Sequence, residues 1–155
     1  MSKISIIMGS ESDLGTVNET VKVLKDFRVD FELRVLSAHR APDNLKKYVK
    51  EAVDKGIKVF IGAAGGAAAL AGVIASNTTL PVIGVPIETK SLKGLDSLLS
   101  TVQMPTGVPV ATMAIGQTGA RNAAIFALEI LGISDKKIQA KLARYKNQMR
   151  LKLKK

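Results

Sequence analysis

The hydrophobic positions of the chain alternate between short, continuous apolar runs and segments in which apolar residues recur at helical spacing. The run from Ile4 to Met8 predicts a strand, and the apolar residues between Leu14 and Leu24 predict a helix after a polar loop. Ser12 and Asp13 stand just before this helix, and either side chain can accept the free amide hydrogens of its first turn. The first unit is therefore predicted as strand, loop and helix.

The same unit repeats along the chain as far as residue 131. Further strands are predicted at residues 31–36, 58–63, 81–85 and 108–114, and further helices at 44–55, up to about 77, at 95–102 and at 119–131. Continuous apolar strands joined by helices form parallel sheets that are covered on both faces. We therefore expect a flavodoxin-like three-layer α/β/α sandwich with a central parallel sheet, which binds ligands at the carboxyl ends of its strands.

Residues 134–155 follow a different pattern, a predicted basic C-terminal helix after a single α/β domain at residues 1–133. The helix is predicted from Asp135 to about Leu153, and its apolar residues lie on one narrow stripe: Ile138, Leu142, Tyr145 and Met149. This stripe needs a partner, which is either its own domain or a neighbouring subunit. Because charged residues cover the rest of the helix, the sequence favours an exposed arm that packs on a neighbouring subunit.

The charge of the chain is concentrated in this C-terminal segment. The 155 residues carry a net charge of +10, but nine Lys or Arg and only one acidic residue lie beyond residue 133. The preceding domain therefore carries only about +2, and aromatic residues make up 4% of the chain. Nucleic-acid surfaces combine basic patches with aromatic side chains for base stacking, so the tail is the one candidate and no nucleic-acid partner is expected.

Composition also excludes several kinds of site. The chain has no cysteine and one histidine, which excludes disulfides, thiolate nucleophiles and multi-histidine metal sites, so no metal is expected. The longest apolar run, from Val59 to Ala75, is shorter than a membrane span, and the N-terminus has no signal-peptide pattern. We therefore expect a cytoplasmic protein that does not bind a membrane.

Three polar or glycine-rich loops follow predicted strands and are expected to meet at one edge of the sheet. In the first loop, Ser10, Ser12 and the helix N-terminus suit an anion, and Asp13 can accept hydrogen bonds from sugar hydroxyls. In the second loop, Ser37 and Arg40 suit a phosphate. Each signal is weak by itself, because serines before a helix commonly serve as caps and an arginine beside a helix start is commonly a solvated charge.

His39, also in the second loop, is the only side chain whose ordinary pKa, about 6.5, lies near neutrality. A single histidine is commonly structural, but this one closely follows a strand and adjoins Arg40, so it is the candidate acid and base. The third loop belongs to a glycine and alanine stretch at Gly62–Leu70, which either packs a helix closely on a strand or lets backbone approach a ligand. Neither the dinucleotide nor the P-loop glycine spacing is present. The residues alone thus predict a site for a phosphorylated small molecule with one acid–base group.

The same segments resemble a known family, the 5-(carboxyamino)imidazole ribonucleotide mutases and aminoimidazole ribonucleotide carboxylases. The similarity covers about residues 3 to 133. It rests on these motifs, in chain order: Met8-Gly9-Ser10-Glu11-Ser12-Asp13, Ser37-Ala38-His39-Arg40-Ala41-Pro42-Asp43, Gly65-Gly66-Ala67-Ala68, Pro81-Val82-Ile83-Gly84-Val85-Pro86, Asp96-Ser97-Leu98-Leu99-Ser100, Gln103-Met104-Pro105 with Gly107-Val108-Pro109-Val110-Ala111-Thr112, and Asn122-Ala123-Ala124. So many matches in order make the resemblance highly specific.

The resemblance implies a homo-octamer of flavodoxin-like subunits with active sites built between subunits, and a reaction that needs no metal, ATP or organic cofactor. In this reaction the carboxyl group of 5-(carboxyamino)imidazole ribonucleotide leaves the exocyclic nitrogen as carbon dioxide and is captured by C4 of the imidazole ring. His39 matches the family's catalytic histidine, which would supply a proton in the first half and remove the C4 proton in the second.

The resemblance also implies which residues bind the small-molecule ribonucleotide. Ser10, Asp13 and Arg40 match the family's substrate-binding positions. Ser12 and Ser37 would add further contacts to the phosphate or the ribose. The first two loops would thus hold the nucleotide.

The third loop would line a pocket for carbon dioxide through the backbone of Gly65, Gly66 and Ala67, where small apolar walls exclude water. One departure lies beside it. The family usually has His-Leu-Pro-Gly after these residues, whereas this chain has Ala69-Leu70-Ala71-Gly72, so a second active-site imidazole is missing.

Two alternatives to the mutase stay open at this point. The protein could carboxylate aminoimidazole ribonucleotide directly with free carbon dioxide, although the Ser37–Asp43 and Pro81–Pro86 motifs look like the bacterial mutase branch. It could also be a non-catalytic nucleotide-binding member that lost turnover with the imidazole at Ala69.

Overall fold

The apolar runs of the sequence form a five-stranded, entirely parallel sheet in the computed structural model, which describes residues 3–152. The strands are β1 (Ile4–Met8), β2 (Phe31–Val35), β3 (Val59–Ala64), β4 (Val82–Pro86) and β5 (Ala111–Thr112). Their order across the sheet is β2-β1-β3-β4-β5, and each neighbouring pair is parallel. This is the flavodoxin-like arrangement that the sequence predicts.

Helices cover both faces of the sheet and complete three layers. They are α1 (Leu14–Asp26), α2 (Pro42–Asp54), α3 (Leu70–Ala75), α4 (Leu95–Val102), α5 (Gly116–Gly132) and α6 (Lys136–Lys152), with a 3-10 turn at Glu11–Asp13. Helices α1 and α5 pack on one face, with α6 against α5, and α2, α3 and α4 pack on the other. None of the helices within residues 3–152 combines the length and the apolar character that crossing a membrane requires.

The central strand β1 shows why the apolar runs are continuous. Successive side chains of a strand point to opposite faces, so Ile4 and Ile6 join the core under α1 and α5, whereas Ile7 joins the core under α2 and α3. All three side chains are fully buried. Because helices cover both faces of this strand, neither face requires polar side chains. The sequence therefore shows a continuous apolar run instead of alternating apolar and polar residues.

Strand β5 is shorter than the predicted segment at residues 108–114. Only Ala111 and Thr112 pair with β4, opposite Ile83 and Gly84. Pro109 lacks the amide hydrogen that a sheet ladder needs, so the residues before Ala111 approach the edge of the sheet without joining it.

The first half of helix α6 packs on its own domain. Ile138 and Leu142 are buried in the core that α1 and α5 share, and the Tyr145 ring contacts Phe27 edge to face, with 5.6 Å between ring centroids. Met149, the last member of the predicted stripe, is 42% exposed. Packing of this helix on a neighbouring subunit stays a prediction, and its predicted end near residue 153 lies outside the described residues.

Candidate active site

A cleft of about 540 Å³ lies at the carboxyl ends of the strands. It forms where the strand order of the sheet reverses. From β1 the chain goes to β2 on one side of it, and after β2 the chain crosses back to β3 on the other side. Eight of the nine candidate residues line this cleft: Ser10, Ser12, Asp13, Ser37, His39, Arg40, Gly65 and Ala67. The three loops singled out in the sequence therefore converge.

The first loop is held by its own hydroxyl groups. Ser10 is the N-cap of the 3-10 turn, and its Oγ accepts hydrogen bonds from the Ser12 amide (3.4 Å) and the Ser12 hydroxyl (2.9 Å). Asp13, at the N-cap position of α1, makes no side-chain capping bond. The prediction that Ser12 or Asp13 caps α1 is therefore wrong, because a 3-10 turn precedes the helix and Ser10 caps that turn instead.

Asp13 is the buried acid of the cleft, with 8% of its surface exposed. Burial raises the pKa of its carboxyl group above the usual 3.8, because removal from water penalises the charged form. Hydrogen bonds from the Ser12 side chain and the Ser10 backbone act in the opposite direction but are weaker. The carboxyl group is thus held beside the cleft without an ion-pair partner among the described residues.

Arg40 ties the second loop to the first. Its guanidinium donates a hydrogen bond to the Gly9 carbonyl (3.1 Å), and the Ser37 hydroxyl oxygen accepts from the Arg40 amide (3.1 Å) and Nε (3.4 Å). His39 lies between these two residues and is exposed to the cleft. Within residues 3–152 its ring makes no hydrogen bond, so both ring nitrogens are available to a ligand.

The glycine and alanine stretch serves both purposes that the sequence left open. A Cβ atom on Gly62 would lie 3.2 Å from the Cα of Ala71, so this glycine lets helix α3 pack closely on β3. Gly65 and Ala67, by contrast, line the cleft. Ala69, at the start of α3, lines it too and brings no polar group there.

Gly66 is the one candidate residue that does not line the cleft. Its φ of +68° lies in the left-handed region that favours glycine, and the turn directs its amide toward helix α4. The amide donates a hydrogen bond to Ser97 Oγ at 2.9 Å. Gly66 therefore shapes the loop, while its two neighbours face the cleft.

Ser97 is a residue whose role the sequence did not reveal. It is fully buried, accepts the hydrogen bond from Gly66 and donates one to the Ile87 carbonyl (2.6 Å). One hydroxyl group thus joins the loop after β3 to the loop after β4. The motif that contains Ser97 was visible, but its partners lie 31 and 10 residues away, so no local spacing could identify them.

The loop after β4 is a fourth wall of the cleft that sequence reasoning missed. Glu88, Thr89 and Lys90 line the cleft beside the glycine-rich loop. The Thr89 hydroxyl donates to Asp96 (2.8 Å) and accepts from the Gly94 amide (3.2 Å), which fixes the loop against α4. Charged residues directly after a parallel strand were a signal that could have found this wall.

Comparisons with known proteins agree with this fold. The family model described as AIR carboxylase matches residues 3–152. The chain belongs to the AIR carboxylase family. The match includes helix α6, so it extends beyond the residues that carried the resemblance in the sequence, and it confirms that resemblance.

Relatives in this family share about half of the residues over nearly the whole chain. An N5-carboxyaminoimidazole ribonucleotide mutase of Pyrococcus abyssi is 56% identical, over 97% of this chain and 85% of the relative. A protein of the same name from Thermotoga maritima is 51% identical, over 97% of this chain and 86% of the relative.

A solved structure confirms the fold. The crystal structure of Treponema denticola PurE superposes with a TM-score of 0.89 at 28% identity, covering 97% of this chain and 92% of that one. The flavodoxin-like arrangement is therefore shared with a protein in which most of the residues differ.

Proposed function

We propose that this protein is a mutase, an isomerase that converts 5-(carboxyamino)imidazole ribonucleotide to 4-carboxy-5-aminoimidazole ribonucleotide in purine biosynthesis. The observation that carries the proposal is the position of His39, whose ring is exposed and has no partner within residues 3–152. It stands in one cleft with two polar loops and a glycine-rich loop. Relatives that are 51% and 56% identical are named mutases, which favours this reaction over direct carboxylation.

The first two loops would hold the nucleotide. Arg40 offers a planar cation, Ser37 offers a hydroxyl group from the second loop, and Ser10 and Ser12 offer hydroxyl groups at the start of a helical segment. This combination suits a phosphate. Asp13 would accept hydrogen bonds from ribose hydroxyls, since its buried carboxyl group faces the same cleft. These contacts would leave the imidazole ring near His39.

His39 would carry one proton out and back in each turnover. In the first half, the bond between the exocyclic nitrogen and the carboxyl carbon breaks, carbon dioxide departs, and the imidazolium gives its proton to the nitrogen. In the second half, C4 attacks carbon dioxide to form a carbon–carbon bond, and the neutral imidazole removes the C4 proton. The proton count therefore closes without another group.

The glycine-rich loop would hold carbon dioxide between the two halves. Gly65 and Ala67 present backbone and small apolar surface to the cleft, and Gly66 fixes their turn through Ser97. Walls of this kind exclude water, which would otherwise hydrate the carbon dioxide. Under this proposal the pocket needs no metal or cofactor.

The proposal is tested by conversion of freshly made 5-(carboxyamino)imidazole ribonucleotide in metal-free buffer, with wild type and His39→Asn compared. We expect turnover by the wild type that does not depend on added bicarbonate, and a loss of at least about a hundredfold in the variant. Turnover only with bicarbonate would identify a direct carboxylase instead. Binding of the nucleotide without product would identify the non-catalytic member.

We also propose that the protein is a homo-oligomer, with the octamer as the predicted state. Helix α4 carries the small hydroxyl residues Ser97 and Thr101 on its buried face, whereas its outer face is apolar and about half exposed. The outer residues are Leu95 (52% exposed), Leu99 (49%) and Val102 (45%), with Leu92 (57%) just before the helix. An apolar face of this kind is expected to meet the same face of a second copy.

Two further expectations concern the surroundings of the protein. We expect it to act in the cytoplasm on its small-molecule ribonucleotide, and we expect no nucleic-acid partner.

A further inference from the structure

The proposed function gives a role to some of the charged side chains that line the cleft and leaves others without one. Among the described residues, five ionisable side chains line it: Asp13, His39, Arg40, Glu88 and Lys90. The first three have roles in nucleotide binding or proton transfer. Of the two basic side chains other than His39, Arg40 is assigned to the phosphate and Lys90 is unassigned.

Arg40 and Lys90 approach the cleft from opposite sides. Arg40 follows β2, Lys90 follows β4, and strands β1 and β3 lie between them. Three strand spacings separate the two loops, which is about 14 Å along the edge of the sheet. One cation therefore stands at each end of the site. The distance between the two loops is several ångströms greater than the width of one phosphate group.

The backbone before Lys90 is fixed against the glycine-rich loop. The Ile87 amide donates to the Ala64 carbonyl (2.9 Å), and a Cβ atom on Gly65 would lie 3.6 Å from the Thr89 methyl group. Thr89 is in turn hydrogen-bonded to Asp96. Lys90 thus extends from a rigid base beside the pocket proposed for carbon dioxide.

The Lys90 side chain itself is exposed, and within residues 3–152 it forms no ion pair. Glu88 is two residues away in the same loop but does not come within ion-pair distance of it. A lysine without a partner at the wall of a cleft is available to an anionic ligand.

The proposed substrate carries two anionic groups, a phosphate and a carboxylate that migrates between N and C4. With Arg40 at the phosphate end, we propose that Lys90 is a substrate-binding residue that contacts the migrating carboxylate and holds it beside the glycine-rich loop. This inference rests on the proposed function, since it deepens the role of the same cleft. It requires no bond to be made or broken by Lys90.

The test measures binding of two nucleotides that differ only in this carboxylate. Calorimetry with 4-carboxy-5-aminoimidazole ribonucleotide and with 5-aminoimidazole ribonucleotide compares wild type and Lys90→Met. We expect Lys90→Met to weaken binding of the carboxylated nucleotide about tenfold and of the other nucleotide less than twofold, because only the first loses a charged hydrogen bond. Lys90→Arg should retain most of the affinity.

Lys93→Met is the matched control, because Lys93 belongs to the same loop, carries the same charge and does not line the cleft. It should leave both affinities within twofold of the wild type. Equal weakening of both nucleotides by Lys90→Met, or no weakening, would overturn the inference.

The conversion assay of the wild type separates this inference from the proposed function. Conversion without the selective loss in Lys90→Met would refute the role of Lys90 and leave the mutase standing. A selective loss without conversion would support the contact of Lys90 with a carboxylate and refute the mutase.

Discussion

Two ionisable residues of the cleft, Asp13 and His39, have opposite environments. Asp13 is buried, so its charge is costly to the fold and its position is fixed before a ligand binds. His39 is exposed and unpaired within residues 3–152, so it can exchange protons and turn toward a ligand without breaking a contact. The first residue is suited to holding a substrate, and the second to reacting with it.

The burial of Asp13 predicts a gain in stability from Asp13→Asn. Because the folded-state pKa is raised above 3.8, the contribution of this group to stability is fully present below pH 3.8 and is lost as the pH rises through the raised value. We therefore expect Asp13→Asn to raise the unfolding midpoint temperature at pH 7 and to weaken nucleotide binding. Thermal unfolding from pH 3 to pH 7 measures the difference, which should shrink at the acidic end.

Asp43→Asn is the control for this prediction. Asp43 is an exposed acid in the first turn of α2, where a negative charge is favourable to the helix. This variant should be no more stable than the wild type at pH 7. A lower midpoint for Asp13→Asn than for the wild type at pH 7 would contradict the effect of burial.

The elements of the fold were largely predictable because each strand has its own local signal. Strand β1 has the bounds that its apolar run predicts, and α4 has the predicted bounds as well. The ends of β5 were not predictable from apolar residues alone. Pro109 shortens the strand only because a neighbouring strand would need its amide hydrogen, and the sequence does not show which strand is the neighbour.

The site was predictable to the extent that its residues directly follow strands. The loops after β1, β2 and β3 are recognisable in the sequence by their serine, histidine and glycine residues, and the parallel sheet brings these loops together. The link through Ser97 could not be predicted, because it depends on which turn of α4 lies under two loops that are distant in the chain.

Ser97→Ala tests how far α4 supports the cleft. The substitution would leave the Gly66 amide and the Ile87 carbonyl without their buried partner, so we expect a loss of about 1–3 kcal/mol in the free energy of unfolding. We also expect faster hydrogen exchange at the Gly66 amide. Urea unfolding and amide exchange are the measurements.

Ser76→Ala, at the end of α3, removes an exposed hydroxyl group that donates to the Val73 carbonyl and accepts from the Asn77 side chain. Because the site is exposed, the substitution should cost less than about 0.5 kcal/mol. Equal losses in Ser97→Ala and Ser76→Ala would mean that Ser97 does not brace the two loops.

Two helical glycines predict opposite effects of the same substitution. A Cβ atom on Gly119, in α5, would collide with the Ala114 carbonyl. One on Gly15, in α1, would have no atom of the described residues within 4 Å apart from its own stretch of helix. We expect Gly119→Ala to cost about 3 kcal/mol or more, since backbone must move, and Gly15→Ala to add about 0.5–1 kcal/mol through helix propensity. Chemical unfolding of both variants measures this, and a stable Gly119→Ala protein would show that the approach of α5 is not fixed.

At the scale of the whole molecule, the outer face of α4 is an apolar surface that the rest of residues 3–152 leaves about half exposed. The same helix braces the glycine-rich loop through Ser97 on its inner face. An assembly that covers α4 would therefore also restrain the cleft. This connects the proposed oligomer with the proposed chemistry.

Leu99→Lys tests that assembly. A charge in the centre of the α4 face should disfavour its burial against a second copy, so we expect a smaller particle in sedimentation velocity than for the wild type. Ile133→Lys is the control, because Ile133 is 81% exposed at the end of α5, away from this face. A wild type that sediments as a monomer, or a Leu99→Lys variant of unchanged size, would contradict the proposed interface.

The most direct measurement is the fate of the carboxyl carbon itself. 5-(Carboxyamino)imidazole ribonucleotide labelled with carbon-13 in its carboxyl group is converted by the wild type in an excess of unlabelled bicarbonate, and the product is analysed by mass spectrometry. If the cleft holds carbon dioxide between the two halves of the reaction, the label is retained in 4-carboxy-5-aminoimidazole ribonucleotide, and His39→Asn forms no product. A product that carries unlabelled carbon would show that the carboxyl group comes from solution and would contradict the mutase.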